Sequence, residues 1–566
     1  MIYHEPARSA RPWVPAAATA LAALSLYLAL RPPLYDIDGF PDRLAALEPE
    51  AIYDILPNHL VWRPLLMALV TVSSWFGYSD TVPLQLFGIL INCAVLFFLY
   101  LLLYDLSRKP RFALTGVLFV ALSPWFWYLG FQNRPYPIVF LALVLFLTAW
   151  NTLDGEPPAS LRLVASGACI LAAILLHEAV VVVVPAAVIV LWFCGSESVR
   201  LRLARGTIWG GSIALCVLFV YFAAWRMLFA DSPFLTWASG YLSEIHPLEA
   251  PATGPLTLFA KSVIGLSGAL VQSGPIQEAL SDFPAKAVLA VYGALGVAAL
   301  AAITFAVVHS SAGKEIVRLI RTNALFAVSA LSMAFWAAFV IAWEPVTPNF
   351  WVLILFPALA CLALLLRGRQ AGRLGAGAAA AVLIVSAWNA WQNYEFDRAQ
   401  SRNFPEPILA SINSHLGARG TFFVLGRGWY GDMNYDLILG CLDHTAQKDH
   451  GVAILDDIVF PVNGSPSWRR ALSDRIDSTI SAGGRVYVAG HVLDPDSYKD
   501  LCGYNDPFNA YIDPKCIASD THDLFRQIID TLAPYDQSES EFSIGEDTYY
   551  LLTRKETAPQ PPAHDP

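Results

Sequence analysis

Charge is what this sequence has least of. Only 14% of its 566 residues are Asp, Glu, Lys or Arg, where soluble proteins carry about 25%. That scarcity excludes an all-soluble chain and a disordered one, and it excludes a nucleic-acid binder with a basic face. Metal-ligand spacings of the CxxC and HExxH kind are absent, so no metal site or other resident cofactor is expected. In their place stand 56% hydrophobic residues, 17 Trp and 32 Phe. Mean hydropathy is +0.50.

The few charges are unevenly spread. Residues 395–566 hold 26 acidic against 14 basic residues, a balance of −12. The whole chain has 46 against 36, which leaves 20 against 22, or +2, for residues 1–394. A near-neutral apolar body and an acidic soluble tail are expected: a polytopic α-helical membrane domain over 1–394, an α/β domain over 395–556 and a disordered end over 557–566.

A membrane helix needs roughly 20 mostly apolar residues, because lipid cannot satisfy exposed backbone groups. Such runs lie near 13–30, 60–76, 84–104, 112–130, 136–150, 162–176, 178–194, 207–229, 286–309, 324–343, 349–366 and 374–392. The positive-inside rule tests how many cross. With Arg8 and Arg11 inside and every run crossing, the basic clusters at 108–111, 200–205, 314–321 and 367–373 would all fall outside. Removing 60–76 from the count brings all four inside together. That run is short and contains Arg63-Pro64, so it is expected to lie at the outer interface. Eleven crossings remain, with the N-terminus inside. Loops 31–83 and 230–285 and the tail are then outside.

In the tail, Thr421–Leu425, Val452–Leu455 and Arg485–Ala489 read as short buried strands, and Trp468–Ser481 as a helix ending at Gly483-Gly484. Helical spacing also runs over 405–416. Gly426-Arg427-Gly428 is followed by Trp429-Tyr430-Gly431 rather than by a helix start, so it is no nucleotide fingerprint. Asp456-Asp457 and Asp494-Pro-Asp496 read as solvated loop ends. Cys502 and Cys516 could pair in an exported domain, leaving Cys441 single. The other five cysteines lie in membrane runs and are expected to pack.

Several polar residues need a reason to be where they are. Asp36 and Asp38 directly follow the first span. A carboxylate there is either a solvated loop acid or a base that takes a proton from an attacking hydroxyl. Arg134 sits on the outer side, where cations are scarce. Its fork suits a phosphate, although snorkelling to headgroups is the alternative. His177-Glu178 turns between two apolar helices and is costly unless it reaches water or a partner. Trp125, Trp127 and Tyr128 read as an interfacial belt, and Glu244, His246 and Lys261 as surface residues of the outer loop.

The order of these pieces resembles the GT-C class of membrane glycosyltransferases, especially the bacterial relatives of protein O-mannosyltransferases and of the lipid A aminoarabinose transferase. The resemblance runs through Asp36-Ile-Asp38-Gly-Phe40, His59-Leu-Val-Trp-Arg63-Pro64 to Trp75-Phe-Gly77, Arg108-Lys-Pro-Arg111, and Ser123-Pro124…Tyr128…Asn133-Arg134-Pro135-Tyr136. It implies inverting transfer of a sugar from a polyprenyl-phosphate donor to an extracytoplasmic glycan, lipid or protein acceptor, with no nucleotide donor. Asp38 or Asp36 would be the base. His59, Arg63, Arg134, Tyr136, His177 and Glu178 would bind substrate. Two departures stand out: Asp-Ile-Asp replaces the usual Asp-Glu, and Asn349-Phe350 replaces an Arg-Tyr. Two other classes compete with a transferase, namely a transporter or flippase of lipid-linked saccharide and a non-catalytic scaffold.

Overall fold

The computed structural model describes residues 12–30, 61–76, 82–132, 134–151, 160–194, 198–228, 233–234, 254–272, 284–309, 311–343, 345–367, 373–403, 414–415, 421–425, 451–454, 468–493, 529–544 and 547–555. Asp36, Asp38, His59, Glu244, His246, Gly426 to Gly431, Asp456, Asp457, Asp494, Asp496, Cys441, Cys502 and Cys516 lie outside them, as does nearly all of 405–416. The chain divides into two units, Met1–Arg398 and Ala399–Pro566.

The first unit is helical: α1 (Trp13–Ala29), α2 (Trp62–Trp75), α3 (Val82–Ser107), α4 (Pro110–Ala121), α5 (Pro124–Phe131), α6 (Tyr136–Asn151), α7 (Ser160–Leu176) and α8 (Val183–Phe193). A short 3-10 turn, Glu178–Val182, precedes α8. Then follow α9 (Val199–Leu228), α10 (Pro255–Leu270), α11 (Ala285–His309), α12 (Ser311–Thr322), α13 (Ala324–Trp343), α14 (Pro348–Val352), α15 (Leu355–Leu366) and α16 (Arg373–Asn403). Among the described residues, four helical stretches are long and apolar enough to cross a membrane, or five if the bent pair α4–α5 is one span. Seven shorter apolar helices accompany them. This is the build of a multi-pass membrane protein.

The apolar runs and the helices agree closely at α6 and α13, but two runs are organised differently from the sequence expectation. The run 112–130 is not one straight helix: α4 and α5 meet at a 60° bend. Pro124 has no N–H to continue the ladder, and it holds Ser123 extended at ψ 141°. The run 349–366 breaks into α14 and α15. Of the basic clusters, Arg200, Arg202 and Arg205 belong to the first turns of α9, and Lys314, Arg318 and Arg321 to α12.

Bending a helix in lipid strands carbonyls that nothing in hydrocarbon can satisfy. Here each is taken by a neighbour. The oxygen of Val120 accepts from the Ser123 hydroxyl at 2.9 Å. That of Ala121 accepts from the Tyr27 hydroxyl at 2.8 Å, and that of Leu122 from Nδ2 of Asn393 at 3.4 Å. Farther on, Nδ2 of Asn92 donates to the oxygen of Phe126 at 3.1 Å. Four polar side chains thus help to hold a bent segment. Trp127 is buried there against Tyr27 and Phe131, so it is a packing residue and not part of a lipid-facing belt.

The helices of this unit have two distinguishable ends. At one, Nζ of Lys109 donates to the oxygen of Leu366 at 2.8 Å, and Arg202 donates to that of Phe193 at 3.1 Å. Arg108 pairs with Asp105, and Cys361 lies against the oxygen of Phe326. The basic clusters at 108–111, 200–205 and 314–321, with Arg367, gather at this end. The bend at Ser123, the start of α6, the His177 turn and α14 lie at the other.

The second unit carries a sheet of order β2-β1-β3-β5-β4, made of β1 (Thr421–Leu425), β2 (Gly451–Ile454), β3 (Arg485–Ala489), β4 (Tyr535–Ile544) and β5 (Asp547–Arg554). β1 runs parallel to both β2 and β3, while β5 is antiparallel to β3 and β4. The adjacent strands β1 and β3 are nearly all apolar and buried, as strands covered on both faces require. Helix α17 (Trp468–Ser481) buries Leu472 and Ile476. It stops where Gly483 takes φ 77° and the amide of Gly484 returns to the oxygen of Thr479 at 2.9 Å.

Candidate functional site

The start of α6 brings together three segments far apart in sequence. The Tyr136 hydroxyl lies 2.9 Å from Nε2 of His177, and Nδ2 of Asn349 donates to the same hydroxyl at 3.1 Å. The oxygen of the Asn349 side chain accepts from the amide of Phe350 at 3.0 Å, which fixes which end of that amide faces Tyr136. With Asn349 donating, the single proton of Tyr136 is available for an unprotonated Nε2. The His177 ring meets Tyr136 edge-on with centroids 4.9 Å apart and Phe350 edge-on at 5.8 Å. Tyr136 and His177 are both buried.

Local sequence explains how each member arrives. Pro135-Tyr136-Pro137 opens α6, where proline's missing N–H is harmless. His177 closes α7 in an extended conformation, φ −157° and ψ 101°. Leu163 on α7 and Val188 on α8 both lie beside the Trp209-Gly210 stretch of α9, so the chain reverses at His177. Asn349 sits in the first turn of α14 behind Pro348. That helix is pinned by Nε1 of Trp336, which donates to the oxygen of Phe350 at 2.6 Å, and by Nε1 of Trp351, which donates to that of Pro345 at 2.8 Å.

Helix α10 covers α14 at close range. A Cβ on Gly265 would stand 2.3 Å from the Pro345 oxygen and 2.6 Å from Nε1 of Trp351, so only glycine permits this approach. Lys261, one turn earlier on the same face, is 5% exposed rather than a surface residue. Its helix packs against α11 and α14. The far end of α10 is tied to α16: Nδ2 of Asn389 donates to the oxygen of Leu270 at 2.8 Å, and Oδ1 of Asn389 accepts from the amide of Gln272 at 2.9 Å.

Of the residues singled out in the sequence, Tyr136 and His177 are therefore brought together. Arg134 is half-buried two residues before Tyr136. Glu178 parts from His177: its carboxylate lies near Tyr221 of α9, and its Oε2 is buried without a hydrogen-bond partner among the described residues. Of Arg63 only the backbone is described, within α2. Asn349 and Phe350, which looked like losses against the resemblance, are members of the cluster. Lys261 was expected at the surface of the outer loop, and Asn393 gave no sequence signal beyond being a polar residue in apolar surroundings.

Bent apolar helices with a buried polar cluster at one end and arginines at the other define a multi-pass membrane protein with two chemically distinct faces. No family model matches the sequence, and no curated protein matches it. Similar solved structures include ArnT from Cupriavidus metallidurans bound to undecaprenyl phosphate, at 14% identity and TM-score 0.44 over 97% of this chain and 99% of that one. The Archaeoglobus fulgidus oligosaccharyltransferase in complex with zinc and sulfate gives 11% and 0.46 over 95% and 73%. The arabinofuranosyltransferase AftD from Mycobacteria gives 14% and 0.43 over 96% and 42%. Likeness at this level is silent on substrate and on site residues.

Proposed function

We propose that the chain is a membrane glycosyltransferase that moves a sugar from a polyprenyl-phosphate donor to an acceptor on the outer face of a bacterial inner membrane. The N-terminus is inside, the membrane body crosses eleven times, and the domain over 395–556 is outside. The observation that carries this reading is the Tyr136–His177–Asn349 cluster. It joins the Arg134-Pro135-Tyr136 motif to the His177 turn and to the late Asn349-Phe350 pair, all at the end opposite the basic clusters. Tyr27, in the last turn of α1, bonds the bend that leads into this region, and Asp36 and Asp38 follow α1 within nine residues.

In the reaction, Asp38 or Asp36 takes the proton of the acceptor hydroxyl as its oxygen attacks the anomeric carbon. The bond from that carbon to the lipid phosphate breaks, the phosphate leaves with the electron pair, and the configuration inverts. Arg134, with His59 and Arg63, meets the departing charge, and electrostatic stabilisation of this kind is a large part of such catalysis. Lys261 supplies a further buried cation. His177 and Asn349 hold Tyr136, and through it the backbone that presents Arg134. Glu178 accepts from a substrate hydroxyl.

Comparing glycans from cells carrying wild type, Asp36→Asn, Asp38→Asn and the double variant tests this. Loss of a glycan in one single variant names the base. Unchanged glycans in the double variant sink the assignment.

A further inference from the structure

Helix α12 does not resemble the other helices of the first unit. Its twelve residues, Ser-Ala-Gly-Lys-Glu-Ile-Val-Arg-Leu-Ile-Arg-Thr, divide sharply at 100° per residue. Ile316, Val317, Leu319 and Ile320 share one arc, and Lys314, Arg318 and Arg321 occupy the opposite one. Only part of the apolar arc is used by the protein. Leu319 and Ile316 pack on the core, while Val317 and Ile320 are 49% and 43% exposed. A helix with a half-covered apolar arc and a basic back is built to lie at a bilayer surface.

The cations around it differ in what they already do. Lys109 and Arg202 cap helix ends through the oxygens of Leu366 and Phe193, and Arg108 is paired with Asp105. Arg318 is held by Glu315 through two hydrogen bonds, that of Nε being 2.9 Å. Lys314 and Arg321 have no ion pair among the described residues and are exposed. They stand seven residues apart, so both lie on one side of the helix about 10 Å from each other.

We propose that α12 is an anionic-lipid site of the basic end, with Lys314 and Arg321 each holding the phosphate of a negatively charged phospholipid headgroup. Val317 and Ile320 sit at the acyl boundary beside them. Charge complementarity selects the occupant: an apolar arc alone would accept any lipid, but two unpaired cations flanking it favour a headgroup with net negative charge. The site is independent of the transferase reading, because it uses the opposite end of the helices and no residue of the polar cluster.

The test is native mass spectrometry of the full-length protein in micelles, titrated with phosphatidylglycerol and with phosphatidylcholine. Wild type is expected to retain phosphatidylglycerol preferentially. Removing each charge should weaken that preference roughly fivefold, so that K314Q/R321Q loses most of it. R318Q should behave as wild type, since Arg318 already serves Glu315. If the double variant keeps the preference, or R318Q loses as much as the double variant, the assignment is overturned. If soluble glycerol phosphate competes as well as the lipid, the site is not one for lipid. Should the double variant fold poorly, wild type alone decides: the preference must fall when salt is raised to about 0.5 M, and an unchanged preference contradicts the proposal.

Discussion

The hydroxyl of Tyr136 stands between Nε2 of His177 and Nδ2 of Asn349, at 2.9 Å and 3.1 Å. One phenol oxygen therefore ties the entrance of α6 to the α7–α8 turn and to α14. In a membrane body, where association relies on packing and interhelical hydrogen bonds, such a three-way joint sets the geometry of everything beside it.

Tyr136→Phe keeps the ring and removes the joint. The buried His177 and the half-buried Asn349 then lose a partner, which costs about 1–3 kcal/mol. Thermal unfolding in detergent should show this loss, together with reduced sugar transfer, because Arg134 is presented by the same stretch of backbone. A variant with unchanged stability and unchanged transfer would remove Tyr136 from the account.

Gly265→Ala should separate α10 from α14. The added methyl meets a backbone oxygen and a tryptophan nitrogen that is itself bonded to that oxygen, so neither gives way cheaply. Overpacking of this kind costs typically 1–3 kcal/mol. Hydrogen exchange is expected to rise across α10 and α14 first. Exchange that rises elsewhere instead would mean the close approach is unimportant.

Lys261→Met addresses the buried cation. A lost charge-assisted hydrogen bond is worth about 1.5–3 kcal/mol, so KM for the lipid donor should rise by at least tenfold, with Lys261→Arg restoring much of it. If KM is unchanged while stability falls, the lysine serves only the fold.

The second unit has a pH signature of its own. The Tyr535 hydroxyl donates to Oδ1 of Asp477 at 3.1 Å, and Arg554 meets the other oxygen at 3.3 Å. Burial, and then the negative charge of Asp477, hold the phenol well above its usual value. A folded-state value above the unfolded one means that stability is fully present below about pH 10 and falls as pH rises beyond it. Unfolding of the full chain at alkaline pH should lose this component in Tyr535→Phe, while an identical alkaline loss in both proteins speaks against it.

Much of the fold was legible because lipid imposes length and apolarity on helices. The run 324–343 and helix α13 share their bounds, and the tail's strands at 421–425 and 485–489 are likewise where the apolar runs lie. What was not legible depends on single polar residues in apolar surroundings. Asn393 and Tyr27 look unremarkable in sequence, yet they hold the carbonyls freed by the bend at Pro124, and Asn92 ties down α5 beyond it. Asn349-Phe350 looked like the loss of an Arg-Tyr and turned out to complete the contacts of Tyr136 and His177. Lys261 was read as exposed because a cation in a long loop usually is, and only the packing of α10 buries it.

Release of polyprenyl phosphate by the purified chain in proteoliposomes tests the central claim most directly. The donors are lipid-linked sugars extracted from the source membranes, with an acceptor fraction supplied outside. The account predicts that wild type releases the lipid phosphate only when acceptor is present, and that Asp36→Asn/Asp38→Asn loses at least about a hundredfold in rate, the scale of a missing general base. Full release by the double variant, or no release by wild type with any extracted donor, would contradict it.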